Sequence, residues 1–209
     1  DPRYQRPDGR RPRFVIYRPG DMPDPAAAVA EMRAAWRQAG IGEVELGAVL
    51  FHAEDKHPVA PELFDFWIEM PPHGLVTGEA DYLYGASGGG RMPVEVAPGF
   101  RGLIYSYSRV RRRSLEAGYR AALPPNTIAG IMPGWDNTAR RGAQAHIAWG
   151  GSPASFGRWL RDLRRVRLAG SYRGEIMINA WNEWAEKAKL EPCLQYGRGY
   201  LQALQQGLA

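Results

Sequence analysis

Two glutamates three positions apart give this sequence its clearest chemical signal. Glu183 and Glu186 are interleaved with Trp181, Asn182 and Trp184. Cleavage of a glycosidic bond needs two carboxyl groups, one that donates a proton and one that accepts a proton or attacks. Indole rings offer a platform for the apolar faces of sugars, and an apolar wall raises the pKa of a neighbouring carboxyl group. The segment therefore favours an acid/base pair with sugar-binding neighbours, although acidic residues at a helix start would look the same.

A second group of polar and aromatic residues lies some 45 positions earlier in the chain. It contains Trp135, Asp136, Asn137 and Arg140. Asp, Asn and Arg side chains on one loop can hydrogen-bond several sugar hydroxyls, and Arg can also bind a carboxylate or phosphate in a bidentate manner. We expect these residues to bind substrate. The alternative is a turn stabilised by the Asp or Asn side chain, with the indole in the core.

The third candidate pair is Glu69 with His73, separated by Pro71-Pro72. A glutamate that ends a strand next to a histidine can bind a sugar hydroxyl or act as an auxiliary acid. We expect both residues to contact substrate. The alternative is a loop held in place by the two prolines.

No metal or cofactor is expected from the sequence. His52, His57 and His146 have no metal-ligand spacing with one another or with Cys193. The Gly88–Gly90 run lacks the Lys-Ser/Thr pair of a phosphate-binding loop. Cys193 is the only cysteine, so it cannot form an internal disulfide, and a lone cysteine is compatible with a reducing cytosol.

The apolar periodicity predicts an α/β protein. After an irregular lead-in over residues 1–13, apolar runs predict strands at 14–17, 44–50, 64–68, 127–132 and 175–180. Helical spacing and caps predict helices at 25–39, 108–122, 153–168 and 196–208, with a glycine-rich excursion over 74–102. Near-continuous apolar strands that alternate with helices indicate a parallel sheet, either a barrel or an open sheet. The three candidate groups follow the last three strands, where both folds place their sites.

Composition restricts the partners. The chain of 209 residues has 27 basic and 22 acidic side chains, a net charge of +5. Two arginine clusters, Arg111–Arg113 and 161–167, would have to carry any nucleic-acid binding, but charge runs are commonly solvated faces, so we expect no nucleic-acid partner. No apolar run is long enough to span a membrane. Without a charged-then-apolar leader, the expected location is the cytoplasm.

Four segments of the chain resemble one known family. They are FVIYRP at 14–19, FDFWIEMPPH at 64–73, PGWDNTARR at 133–141 and MINAWNEWAE at 177–186. The likeness extends from about residue 13 to about residue 204 and points to the WbsX-like family, which is related to glycoside hydrolase family 99. The resemblance implies a (β/α)8 TIM-type barrel from a bacterium, acting in O-antigen or other surface-polysaccharide metabolism. Members are commonly named glycosyltransferases, whereas the related hydrolases cleave mannans.

The resemblance also implies roles for individual residues. Glu183 would be the base that draws a proton from the sugar 2-hydroxyl, and Glu186 the acid and then the base at the glycosidic oxygen, with net retention. Tyr17, at the end of the first strand, would bind substrate. Where the family has glycine after the second glutamate, this chain has Lys187, whose charge is expected to lower the pKa of Glu186.

Only five strands are readable, whereas a TIM barrel has eight. Residues 14–209 are therefore expected to form the C-terminal part of a barrel, completed by its missing N-terminal half or by a second copy of the chain. The main prediction is an enzyme that acts on the glycosidic bonds of an oligosaccharide or polysaccharide. The alternative is a non-catalytic sugar-binding or structural remnant of such a barrel.

Overall fold

The computed structural model describes residues 1, 3–51, 56–78, 81–85 and 96–209. Its strands, in chain order, are β1 Arg13–Ile16, β2 Glu45–Leu50, β3 Phe66–Glu69, β4 Tyr82–Gly85, β5 Leu103–Ser106, β6 Thr127–Ile131, β7 His146–Trp149, β8 Ile176–Ile178, β9 Asn182–Glu183 and β10 Ala188–Lys189. Its α-helices are α1 Pro25–Gln38, α2 Tyr107–Leu115, α3 Ala117–Ala121, α4 Thr138–Arg141, α5 Pro153–Arg167 and α6 Gly199–Leu208.

The main sheet is half of a parallel barrel. Its order is β1-β2-β3-β6-β8, and every neighbouring pair is parallel. Each of the five apolar runs in the sequence overlaps one of these strands, so the prediction of an α/β fold with about five parallel strands is confirmed. Because all strands run the same way, the loops that follow them gather at one edge of the sheet.

Both faces of this sheet are buried. In β2 every residue is buried, as expected for a parallel strand covered on both sides. Leu46 and Ala48 pack towards α1, whereas Val49 belongs to a separate cluster on the opposite face with Phe66. The two layers leave little space, since a Cβ on Gly47 would lie 2.2 Å from the Phe66 ring.

A second, three-stranded sheet of order β4-β5-β7 was not predicted. It corrects the interpretation of residues 74–102 as a simple excursion, since β4 falls within that range and pairs antiparallel with β5. The Gly88–Gly90 run lies outside the described residues. Strand β7 pairs parallel with β5, and a bridge from Asp136 to Ile147 joins it to the loop after β6.

The helices follow the predicted caps, with two corrections. The side chain of Asp24 caps α1 by accepting from the Ala27 amide, as predicted. The single helix predicted over 108–122 is two helices, because Glu116 is extended (φ −66°, ψ 136°). The last helix begins at Gly199 rather than at 196, since Cys193 and Gly197 form a bridge that holds the preceding turn.

The amino end of the main sheet is closed by an ion-pair network. Glu45, the fully buried first residue of β2, accepts hydrogen bonds from Arg13 at 2.9 Å, Tyr172 at 2.8 Å and Arg173 at 2.8 Å. Burial favours the neutral acid, but these donors hold the pKa of Glu45 below its ordinary value. The Glu45 carboxylate is therefore fully engaged within the protein and is not accessible to a ligand.

Among the described residues, none of the helices combines the length and the apolar character that crossing a membrane requires.

Candidate functional site

A row of aromatic side chains crosses the carboxyl end of the main sheet. Tyr17 follows β1, Phe51 follows β2, His73 follows β3 and Trp135 follows β6. Their ring centroids are 4.8 Å apart for Tyr17 and Phe51, 4.7 Å for Phe51 and His73, and 6.3 Å for His73 and Trp135, all in edge-to-face contact. The row forms because each strand delivers one ring to the same edge.

The aromatic row forms one side of a cavity of about 570 Å³, which we call the glutamate pocket. Glu183 and Glu186 line it from the segment after β8. Asn179 and Ala180, joined by a cis peptide bond, line it as well. The pocket therefore combines two carboxyl groups with aromatic rings at the position where parallel α/β folds bind substrates.

A short hairpin holds the two glutamates. Strands β9 and β10 pair antiparallel, with Glu183 opposite Ala188. A 3₁₀ turn over Trp184–Glu186 connects them and ends at Lys187, which adopts a left-handed conformation (φ 50°). The amide of Asp136 donates to the Glu186 carbonyl at 2.7 Å and ties the hairpin to the loop after β6.

Arg140 is the cation that both glutamates share. Its guanidinium lies 2.8 Å from the Glu186 carboxyl group and 3.7 Å from that of Glu183. The Glu186 side chain is 15% exposed, compared with 37% for Glu183. Burial raises the pKa of Glu186, Arg140 opposes the shift, and the charge of Glu183 adds to it. Glu186 is thus the better placed of the two to hold a proton.

The expectation for Lys187 was wrong. Its ammonium pairs with Asp136, and the pKa of Glu186 is raised rather than lowered. Burial pushes the pKa of Asp136 up, but hydrogen bonds from Lys187 and Thr138 hold it below its ordinary value. The left-handed turn at Lys187 directs this side chain to Asp136, which does not line the glutamate pocket.

The predicted binding residues divide into two groups. Tyr17, His73, Trp135, Asn137 and Arg140 line the glutamate pocket together with the two glutamates. In Asn137 the side-chain oxygen accepts from the His146 amide at 2.7 Å, so this residue also holds its loop in place.

The hairpin neighbours Trp181, Asn182 and Trp184 are exposed and do not line the pocket. The Trp184 indole donates to Glu191, outside the pocket. Within β9, Asn182 and Glu183 point to opposite faces, whereas Trp181 and Trp184 flank this two-residue strand. The sequence alone put them in the site because they interleave the acidic residues.

Glu69, which was predicted to bind a sugar, lies in the protein interior. Its side chain is 2% exposed and accepts from Arg167 at 2.6 Å, from Tyr119 at 2.8 Å and from the Gly130 amide at 3.1 Å. It does not line the glutamate pocket. These three donors occupy the carboxyl group and make it a link between β3, β6 and the helices.

Seven residues that line the pocket were not predicted from the sequence: Arg18, Phe51, Met70, Arg141, His146, Asn179 and Ala180. Phe51 follows a predicted strand directly and Arg141 follows a predicted binding residue, so position relative to strand ends was the available signal. Within the described ranges, no three His, Cys, Asp or Glu side chains are grouped as metal ligands would be.

The two arginine clusters are largely engaged within the protein. Arg111 pairs with Asp162, Arg113 with Asp81 at 2.8 Å, and Arg167 with the buried Glu69. Such pairs hold helices together and leave fewer cations for a polyanion. The absence of a nucleic-acid partner stays a prediction.

A half-barrel with a carboxyl pair at the carboxyl end of its strands is the arrangement of carbohydrate-active α/β enzymes. Comparison with protein-family models gives a match to "Glycosyltransferase WbsX" over residues 1–204. The chain belongs to this family. The family resemblance seen in the sequence is thereby confirmed.

Its curated relatives include two proteins named "Uncharacterized protein WxcX", from Xanthomonas campestris pv. campestris strains B100 and ATCC 33913. Each is 33% identical over 211 residues, covering 100% of this chain and 28% of the relative. The chain thus spans little more than a quarter of the length of these relatives.

Among solved structures, a "Glycoside hydrolase-like protein" matches with a TM-score of 0.64 at 16% identity. The match covers 99% of this chain and 56% of that chain. At this identity the likeness concerns the fold, and it shows that the half-barrel corresponds to part of a larger glycoside hydrolase-like fold.

Proposed function

We propose that this chain is part of an enzyme that acts on glycosidic bonds, with Glu183 and Glu186 as its acid/base pair. The observation that carries the proposal is that Glu186, a largely enclosed carboxyl group, lines a pocket together with a second carboxyl group, and its burial raises its pKa. Glycosidic cleavage or transfer needs one carboxyl group that stays protonated near neutrality and one that does not.

The two glutamates have different surroundings, and this supports different roles. Glu186, the less exposed of the pair, is the proton donor to the glycosidic oxygen. Glu183, at 37% exposure, is the base, and Arg140 lies close enough to stabilise its charge. The aromatic row, Tyr17 to Trp135, gives the sugar an apolar wall opposite these polar groups.

The substrate class follows from the family. Membership in a family described as glycosyltransferases favours a glycan substrate, and the resemblance to surface-polysaccharide enzymes favours an O-antigen or lipopolysaccharide glycan. Hydrolysis and transfer use the same carboxyl pair and differ in whether water or a sugar hydroxyl attacks. Product analysis distinguishes the two.

The test is turnover of surface polysaccharide from the source bacterium by the full-length protein. Glu183→Gln and Glu186→Gln keep the size of each side chain and remove its proton chemistry, so each is expected to lose at least about 10²-fold in kcat. The matched control is Glu43→Gln, an exposed glutamate paired only with Arg37 at 3.4 Å. Wild-type turnover in both glutamine variants would refute the proposal.

A further inference from the structure

A second cavity shares Trp135 with the glutamate pocket. It measures about 450 Å³, and we call it the Trp149 pocket after its most exposed aromatic residue. Trp135 lines both cavities, so a ligand bound in either cavity can contact this shared residue. The remaining polar lining comes from Asp136, Lys187, Lys189, Gln195 and Tyr196.

Trp149 presents an indole ring to this cavity. It is the last residue of β7 and is 52% exposed, whereas its neighbour Ala148 points the other way and is buried. The glycines at 150 and 151 follow, so no bulky side chain covers the ring from that direction. A half-exposed indole in the wall of a concave site can stack on the apolar face of a sugar ring.

The charges around this cavity do not cancel. Asp136 and Lys187 form an ion pair, which leaves Lys189 as the additional charge. Lys189 as a whole residue is 8% exposed, and its ammonium forms no hydrogen bond or ion pair with the residues that the structure describes. Its ammonium lies 4.9 Å from the centre of the Trp184 ring. The ammonium is not one of the fully enclosed side-chain nitrogens of the described residues, so it keeps contact with solvent and can pair with the anion of a ligand.

We propose that the Trp149 pocket is a second sugar subsite, which takes a residue carrying an anionic substituent, either a carboxylate or a phosphate. The sugar ring stacks on Trp149, its anion contacts the Lys189 ammonium, and Gln195 and Tyr196 supply hydrogen bonds to hydroxyl groups. This inference rests on the proposed function and refines it: the glycan extends from the glutamate pocket past Trp135, and it is acidic.

The test is binding of the full-length Glu186→Gln protein, which retains the pocket, to an array of bacterial glycans. The array holds neutral glycans and matched forms with uronic acids or with phosphate groups. Acidic glycans are expected to bind at least about tenfold more tightly than neutral ones, because a charge-assisted hydrogen bond is roughly twice as strong as a neutral one. The preference for uronate or phosphate identifies the anion.

Two variants assign this binding to the pocket. Lys189→Met keeps the side-chain stem and is expected to lower acidic-glycan affinity to that of the neutral form. Trp149→Ala is expected to weaken both forms about tenfold, within the range of aromatic stacking. The controls are Lys56→Met, an exposed lysine paired with Asp21, and Tyr4→Ala, which is 49% exposed and lies outside the pocket. Circular dichroism of every variant checks the fold.

The inference is overturned if binding is equal for acidic and neutral glycans, if Lys189→Met leaves the preference unchanged, or if no glycan binds. These results do not decide the proposed function, which depends on turnover by the Glu183→Gln and Glu186→Gln variants. Loss of turnover in those variants together with unchanged binding in Lys189→Met would retain the enzyme and reject the acidic subsite.

Discussion

Glu45 at the amino end of the main sheet and Glu186 beyond its carboxyl end have opposite surroundings. Glu45 is fully buried and accepts hydrogen bonds from two arginines and a tyrosine. Glu186 keeps 15% of its side chain exposed, has Arg140 beside it and faces a pocket. The pKa of Glu45 is lowered, whereas burial raises the pKa of Glu186.

The comparison shows that partners, rather than residue type, decide what a carboxyl group does. Where donors saturate the carboxylate, the charged form is fixed and the group holds strands together. In Glu186, burial raises the pKa by more than the nearby Arg140 lowers it, so this carboxyl group holds a proton more tightly than an exposed glutamate does. Glu69 belongs with Glu45, since Arg167, Tyr119 and the Gly130 amide occupy its oxygens.

The largest expected effect is on stability at the amino end. Glu45→Ala leaves Arg13 and Arg173 without their shared carboxylate, and breaking a buried ion pair costs about 3–5 kcal/mol. Glu186→Gln is expected to change the free energy of unfolding by less than about 1 kcal/mol, because its one ion pair is with the exposed Arg140. Denaturant unfolding of both variants measures the difference, and equal losses would contradict the comparison.

The next largest effect distinguishes a role of Glu69 in stability from a role in substrate binding. Glu69→Gln is expected to destabilise the fold by about 2–4 kcal/mol, because the buried Arg167 loses its charged partner. At a temperature where the variant remains folded, its KM for glycan should equal that of the wild type. Arg167→Met should give a similar loss of stability. A raised KM without a loss of stability would return Glu69 to the substrate-binding residues.

The sequence predicted the main sheet because its strands are contiguous apolar runs, such as Val44–Leu50. Strands β5 and β7 were missed because Leu103–Ser106 and His146–Trp149 are short and mix polar with apolar residues. The break at Glu116 has no signal in its immediate neighbours, since Leu115, Glu116 and Ala117 all suit a helix.

In the site, residue type and strand position identified the glutamate pair and most of the aromatic row. They did not separate Glu69 from Glu186, because the partner that occupies Glu69 comes 98 positions later in the chain. They also placed Trp181 and Trp184 in the site, whereas both flank the two-residue strand β9 and are exposed, because side-chain directions there depend on the hairpin that forms. Sequence patterns do not predict which distant residue pairs with a buried carboxyl group, or which way side chains point in a short hairpin.

The dependence of stability on pH should have opposite signs for the two carboxyl groups. The charge of Glu45 stabilises the fold above the ordinary glutamate pKa of 4.5, and that contribution is lost as the pH falls through its lowered folded pKa. For Glu186 the folded state binds the proton more tightly, so stability falls as the pH rises from 4.5 to its raised pKa.

The free energy of unfolding is measured across pH for the wild type, Glu45→Gln and Glu186→Gln. The difference between the wild type and each variant gives the contribution of that carboxyl group to stability. The Glu45 difference should rise with pH below 4.5, and the Glu186 difference should fall with pH above 4.5. Two slopes of the same sign would refute the assignment of opposite pKa shifts.

The smallest effect concerns the cation of the pocket. Arg140 opposes the raised pKa of Glu186, so Arg140→Met should raise that pKa further. Activity that needs protonated Glu186 should then persist to higher pH, by less than about one unit, because exposed ion pairs are weak. The pH profile of kcat measures the shift, with Arg112→Met, an exposed arginine of α2, as the control. A shift to lower pH would contradict the account.

The most direct test of the central claim is a titration of the two carboxyl groups by carbon-13 NMR in the full-length protein, with signals assigned through Glu45→Gln and Glu186→Gln. Glu186 is expected to titrate above the ordinary value of 4.5 and Glu45 below it. If Glu186 titrates at or below 4.5, the carboxyl end of the sheet does not hold the proton that the proposed chemistry requires.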